Sequence, residues 1–220
     1  MSEDTSGGSF TSNQVIPVAR LTGPYNLVEH LNAHILKDRV LKSDPSGFFH
    51  PSGASVVSID SKTGEREILG TCLRQAYYAM TDGEHKTPME PYVMWSAKLG
   101  NAIERMITEM YKEMGVWVGN NVRFHHRGYQ ISGELDCILK EPDGTEYIQE
   151  TKSYYGYKAN SEIMGNKWKV GKPKDGHLLQ VLIYLYLFRD RFPYAKMLYV
   201  SRENAKRKSF KITIDQEGDQ

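Results

Sequence analysis

The sequence predicts an α+β fold, a mixed central β-sheet flanked by helices. Three observations predict it. Helical apolar spacing dominates the first half of the chain. Three short alternating stretches then follow one another closely, the last two joined by a Pro-Asp-Gly turn. A strongly apolar helix leads from these to two more strands.

Taken in order, residues 1–20 are rich in Ser, Gly and Thr and read as a disordered tail, leaving residues 21–220 as a single domain. Pro24–Lys42 sets Leu27, Val28, Leu31, His34, Ile35 and Val40 at helical spacing. Ser43–Gly53 is a loop with two prolines and two glycines. Ala54–Asp60 reads as a short strand with SKTGE as its turn, and Leu69–Met80 as a helix. Pro88–Gly115 reads as a long helix, with Pro91 tolerated in its first turn and Gly115 ending it. Three strands follow: Val116–His125, Tyr129–Leu139 and Tyr147–Tyr154. Tyr155–Lys174 is basic, aromatic and irregular. Asp175–Arg191 is a helix, and Lys196–Arg202 and Ser209–Asp215 are the last strands.

Composition excludes several classes. The 220 residues carry 28 Lys and Arg against 27 Asp and Glu, so net charge gives no nucleic-acid signal and any DNA surface must come from local segregation of charge. Cys72 and Cys137 cannot by themselves supply a four-thiolate site. The polar start has no secretory pattern, and the longest apolar run, Leu178–Phe188, is interrupted by Gln180 and too short to span a bilayer. The expectation is a cytoplasmic protein with reduced thiols and no membrane partner.

The chemistry concentrates in residues 133–152, GELDCILKEPDGTEYIQETK. On a strand, Glu150 and Lys152 share a face. A three-residue loop at Pro142-Asp143-Gly144 sets Glu141 against Thr145 and, counting back, Asp136 against Glu150. Two carboxylates held so close repel unless a proton or cation lies between them. The plainer alternative is a pair of exposed strand acids. Asp136, however, lies in a stretch otherwise apolar on both faces.

The pattern Gly133-x-x-Asp136, Glu150-x-Lys152 and Gln180-x-x-x-Tyr184 resembles the RecB-like branch of the PD-(D/E)xK nucleases. That branch includes phage lambda-type exonucleases and CRISPR-associated RecB-like exonucleases. Upstream, Gly100-x-x-x-Glu104 and Cys72-x-Arg74-x-x-Tyr77-Tyr78 are similar to two further segments of it, so the resemblance spans roughly residues 50–215. It implies a restriction-endonuclease-like core. It implies Mg²⁺ or Mn²⁺, one or two ions, held by Glu104, Asp136, Glu150 and the backbone carbonyl of Thr151. Lys152 would orient or activate the attacking water, Gln180 would support the site, and Tyr184 would stand near it. Some relatives carry a four-cysteine iron–sulfur cluster; only the Cys72 position survives here, so none is expected. The letters Pro142-Asp143 are a decoy, being a turn at the hairpin tip about seven residues' rise from Glu150, roughly 20 Å. The implied function is a DNA exonuclease of recombination, repair or replication, in a prokaryotic cell or phage-infected host. It would act on DNA, with a recombination or replication protein as possible partner and no oligomeric state implied. Alternatives are a structure-specific endonuclease on the same fold or an inactive DNA-binding subunit.

Around Trp168, Tyr155, Lys158, Lys167, Lys169 and Lys172 offer charges for phosphates and rings for bases; the alternative is a solvated loop. Arg74 either contacts phosphate or pairs with an acid on its own helix. His177, one helical turn before Gln180, stands at the mouth of the site or on the helix surface. Arg202–Lys208 reads as a solvated hairpin tip.

Overall fold

Three consecutive antiparallel strands, a crossover and two more strands generate a five-stranded sheet. The computed structural model describes residues 26–37, 47–60, 62–81 and 90–214. The expected tail, the ends of the first helix, the start of the following loop, the start of the long helix and the end of the last strand lie outside the described residues.

The strands of this sheet are β3 (Trp117–His126), β4 (Ile131–Lys140), β5 (Glu146–Tyr154), β8 (Ala195–Ser201) and β9 (Arg207–Ile212). Neighbours are antiparallel except β5 and β8, which run parallel. A parallel pair needs a long crossover. Here it consists of α4 (Tyr157–Met164), the two-residue strands β6 (Gly165–Asn166) and β7 (Lys169–Val170), and α5 (Asp175–Leu187). Helix α5 covers one face of the sheet, where Leu135, Ile148, Val181, Leu185, Phe192, Met197 and Tyr199 form the main core. Its low polarity follows from that burial. Helix α3 (Pro91–Glu113) buries Ile107 and Thr108, and Tyr111 packs with Cys137, Leu139, Tyr147 and Tyr194. As the central strand, β5 is buried without interruption from Tyr147 to Thr151.

Thus the α+β class with a mixed sheet is as expected, and so are the five sheet strands to within a few residues. Two segments differ. Arg66–Gly70, left unassigned up to Ile68 and read from Leu69 as the start of a helix, is strand β2. It pairs with β1 (Ser55–Ile59), because Asp60 Oδ1 accepts the Lys62 and Thr63 N–H groups and turns the chain. Helix α2 therefore begins later, at Leu73, and ends at Thr81. The segment read as irregular, Tyr155–Lys174, contains α4 and the β6–β7 hairpin. Helix α1 spans Leu27–Lys37. Among the described residues no helix is long and apolar enough to cross a membrane.

Candidate active site

The expected hairpin register holds: Glu141 N–H donates to the Thr145 carbonyl, and pairing runs from Lys140↔Glu146 to Cys137↔Gln149. There it stops. Beyond Cys137, β4 stays with β3, whereas β5 continues along β8. The two strands part like a fork at Asp136 and Glu150, the next pair in the same register. Asp143 serves the turn, accepting the Thr145 N–H at 2.9 Å.

A fork leaves backbone groups without ladder partners, and buried ones must find others. Asp136 Oδ2 accepts the Thr151 N–H at 2.9 Å. On the β4 arm, the Glu134 carbonyl accepts the Tyr184 hydroxyl at 3.1 Å. Gln180 Nε2 donates to Tyr184 Oη at 3.0 Å and to Glu150 Oε1 at 2.9 Å. One helical turn of α5 therefore spans the opening and ties the acid of one arm to the backbone of the other. Gly133 makes room: a Cβ there would lie 2.9 Å from the Phe124 ring and 3.3 Å from that of Tyr184. The spacing Gly133-x-x-Asp136 and Gln180-x-x-x-Tyr184 thus has a packing cause. Tyr184→Phe is expected to leave the Glu134 carbonyl unsatisfied, to cost about 1–3 kcal/mol in urea denaturation, and to slow turnover through a looser Gln180.

Glu150 is fully buried. Its Oε1 also meets Lys152 Nζ at 2.6 Å, while its Oε2 is buried with no hydrogen-bond partner. Burial, then the charge of Asp136, pushes Glu150 up to about 8 against the opposing pull of Lys152. Asp136 is raised as well, chiefly by burial. On α3, Glu104 is raised to about 7 by burial and then by Asp136. For Lys152, burial favours the neutral amine, but the surrounding acids outweigh it and hold the ammonium above its ordinary range. Glu134, whose charge also raises Glu104 and Asp136, is itself held low, because Arg123 and Asn121 hydrogen-bond its carboxylate.

Glu104, Asp136 and Glu150 thus converge within one another's field. They do not close a cage: among the described residues no three His, Cys, Asp or Glu side chains form a ready ligand set. The donors nevertheless fit a hard divalent cation. They are oxygens, one is a buried orphan on Glu150, and their mutual repulsion is of the kind a cation relieves. At Thr151, the group the structure places against Asp136 is the N–H.

These raised values set a pH dependence. Folded acids that titrate near 7 and 8 keep protons that the unfolded chain releases near 4.5, so stability in chelator falls as pH rises across that window. A cation must displace the same protons. Stabilisation by Mg²⁺ is therefore expected to be larger at pH 8 than at pH 6, with proton release visible as a buffer-dependent heat of binding in calorimetry.

Glu104 and Asp136 line a cleft of about 700 Å³, whose wall also carries Lys98, Arg105 and Lys112. Of the residues expected to bind DNA, Tyr155, Lys158, Lys167, Lys169 and Lys172 are exposed on the crossover that follows β5, and Lys172 is paired with Asp175. Arg74 is exposed on α2 and does not line the cleft. His177 is half-buried and tied to the site's surroundings. The Lys174 N–H donates to Tyr199 Oη at 3.1 Å, and His177 Nδ1 shares a hydrogen bond with the same oxygen at 2.9 Å. Burial, with Lys152 and Lys174 nearby, holds this imidazole neutral, its pKa lowered to about 4.

Arg202 escaped the sequence reading as part of a solvated tip. Its guanidinium turns inward instead, donating to Ser153 Oγ at 3.0 Å and Ser96 Oγ at 2.6 Å. It thereby joins the end of β8 to β5 and α3. Nothing in the sequence around Arg202 signals this, because its partners lie far away along the chain.

No family model and no curated protein matches the sequence. Among solved structures the chain is similar to one described as the crystal structure of SSO0001, with a TM-score of 0.53 and 16% identity over 87% of this chain and 80% of the other. At that identity the likeness concerns the fold alone.

Proposed function

We propose that the protein is a Mg²⁺- or Mn²⁺-dependent deoxyribonuclease of the RecB-like PD-(D/E)xK kind, hydrolysing phosphodiester bonds from DNA ends in recombination, repair or replication. The observation that carries this reading is the fork. A fully buried carboxylate, Glu150, and a half-buried one, Asp136, repel each other there beside an ammonium, and one oxygen of Glu150 has no partner.

Glu104, Asp136 and Glu150 would hold the cation, which when bound supplies Lewis acidity toward the phosphoryl oxygens. The chain's own residues do the rest. Lys152 Nζ spends one hydrogen on Glu150 Oε1 and has two more for an attacking water and a phosphate oxygen. Being charged, it also opposes the negative charge that builds as water attacks phosphorus and the P–O bond breaks. Thr151 N–H and Gln180 fix the two carboxylates, so little reorganisation accompanies the reaction.

The test is digestion of linear and covalently closed circular DNA, single- and double-stranded, with Mg²⁺, Mn²⁺ or chelator. The expected result is cation-dependent loss of linear DNA with circles spared. Cutting of circles would make the enzyme an endonuclease. Binding without cutting under every condition would leave a DNA-binding subunit in its place.

A further inference from the structure

The crossover that follows the Lys152 strand carries a small, rigidly built hairpin. Gly165 and Asn166 pair with Val170 and Lys169. The two backbones touch: a Cβ on Gly165 would stand 2.5 Å from the Lys169 carbonyl oxygen, and one on Gly171 would stand 2.6 Å from the Gly165 nitrogen. No side chain fits between them, so the arms are pinned together. Asn166 Oδ1 closes the tip by accepting the Trp168 and Lys169 N–H groups at 2.8 and 2.9 Å. The base is anchored by the fully buried Ile163, by Lys172 N–H on the Glu162 carbonyl, and by Lys208 Nζ on the Met164 carbonyl.

This scaffold presents Trp168 to solvent, 85% exposed. The other two tryptophans are far less exposed, Trp95 at 39% and Trp117 at 36%. An indole so exposed on a braced support, rather than on a slack loop, is prepared for a ligand with a flat face. Lys167 Nζ stands 4.8 Å from its ring, and Lys158 and Lys169 are exposed on the same crossover. The ligand therefore combines flat rings with negative charge, as a nucleic-acid strand does.

Position narrows the choice. Lys152 pairs in register with Tyr199, whose hydroxyl accepts the N–H of Lys174, shortly after the hairpin closes. The hairpin thus rises from the end of the β5–β8 pair that holds Lys152. A base inside a duplex has both faces covered; an unpaired base does not.

We propose that Trp168 is a stacking platform for an unpaired base, so that this chain engages single-stranded or frayed ends in preference to intact duplex. The nature of the ligand rests on the nuclease reading; the platform rests on the hairpin.

The test is binding in chelator, where no cleavage intervenes. Oligo-dT and a blunt duplex of matched length are titrated against wild type, Trp168→Tyr and Trp168→Ala, following tryptophan emission and anisotropy of labelled DNA. Oligo-dT is expected to quench wild-type emission, and Trp168→Ala to bind it roughly 5- to 100-fold more weakly, the worth of one stacked base. Trp168→Tyr should recover most of the loss, and duplex binding should change less than about twofold. Circular dichroism melts report whether each variant folds. If Trp168→Ala binds oligo-dT as tightly as wild type, the platform is refuted and the exposed indole belongs to a protein contact. Equal losses for oligo-dT and duplex also refute it. A chain that binds through Trp168 but cuts no DNA with either cation keeps the platform and loses the nuclease reading. Cutting with unaltered Trp168→Ala binding does the reverse.

Discussion

Asp136→Asn is expected to lower the rate of linear-DNA cleavage by about a thousandfold or more, the scale set by loss of charge stabilisation at a reacting phosphate. The substitution keeps the shape and retains an oxygen to accept the Thr151 N–H, now 2.9 Å from Oδ2, so β5 has no reason to move. What disappears is one negative charge. In wild type that charge helps push Glu150 up to about 8 and Glu104 up to about 7. Without it, both neighbours ionise more easily. In chelator at pH 8 the variant should therefore melt at the same temperature as wild type or higher, while the gain in Tm from Mg²⁺ shrinks. Loss of activity with no loss of stability separates a site built for a cation from one built to hold the fold together. Thermal melts with and without Mg²⁺, beside initial cleavage rates, measure both. A variant as active as wild type would remove Asp136 from the mechanism.

Lys152→Ala is expected to damage both stability and activity. Lys152 is the cation at 2.6 Å from a carboxylate with no exposed surface. Removing one member of a buried pair typically costs about 3–5 kcal/mol, because the other is left charged in a poor solvent. Here the cost depends on pH. Glu150 already titrates near 8 with Lys152 present, and without the ammonium its proton is held more tightly. At pH 6 the carboxyl is neutral and the loss should be small. Above pH 8 either a proton must be taken up or an unpaired charge borne, and the loss should approach the full figure. Urea denaturation at the two pH values measures the difference. Cleavage should fall by at least about a hundredfold at either pH, since among the described residues no other cation is paired with Glu150. A stability loss independent of pH would show that Lys152 and Glu150 do not share their charge as described.

Much of this architecture was legible in the chain. The register that sets Asp136 against Glu150 follows from the three-residue loop, and the Glu141–Thr145 hydrogen bond holds it. The fork was not legible, because β4 and β5 keep their strand character on both sides of it. Only their partners change, from each other to β3 and β8. Partner exchange is tertiary information and leaves no mark on local alternation. The same holds for Arg202, whose serine partners come from α3 and β5. Strand β2 was hidden for a different reason: its residues are mostly exposed, so burial imposes no pattern on them. Helix α4 has a single fully buried apolar anchor, Ile163, and the hairpin beyond it depends on two glycines meeting backbone to backbone. Neither leaves a periodic trace.

The parallel pairing of β5 with β8 has a consequence for how such a protein can change. Because the chain must travel back along the sheet between these strands, everything from Tyr155 to Leu187 forms one continuous excursion, entered from a buried strand and left toward another. Its first half carries the exposed rings and lysines, and its second half carries Gln180 and Tyr184. If the nuclease reading holds, preference for a substrate can therefore be rewritten in about twenty contiguous residues, much as a tool head is exchanged, while the acids on α3, β4 and β5 and their brace on α5 stay untouched.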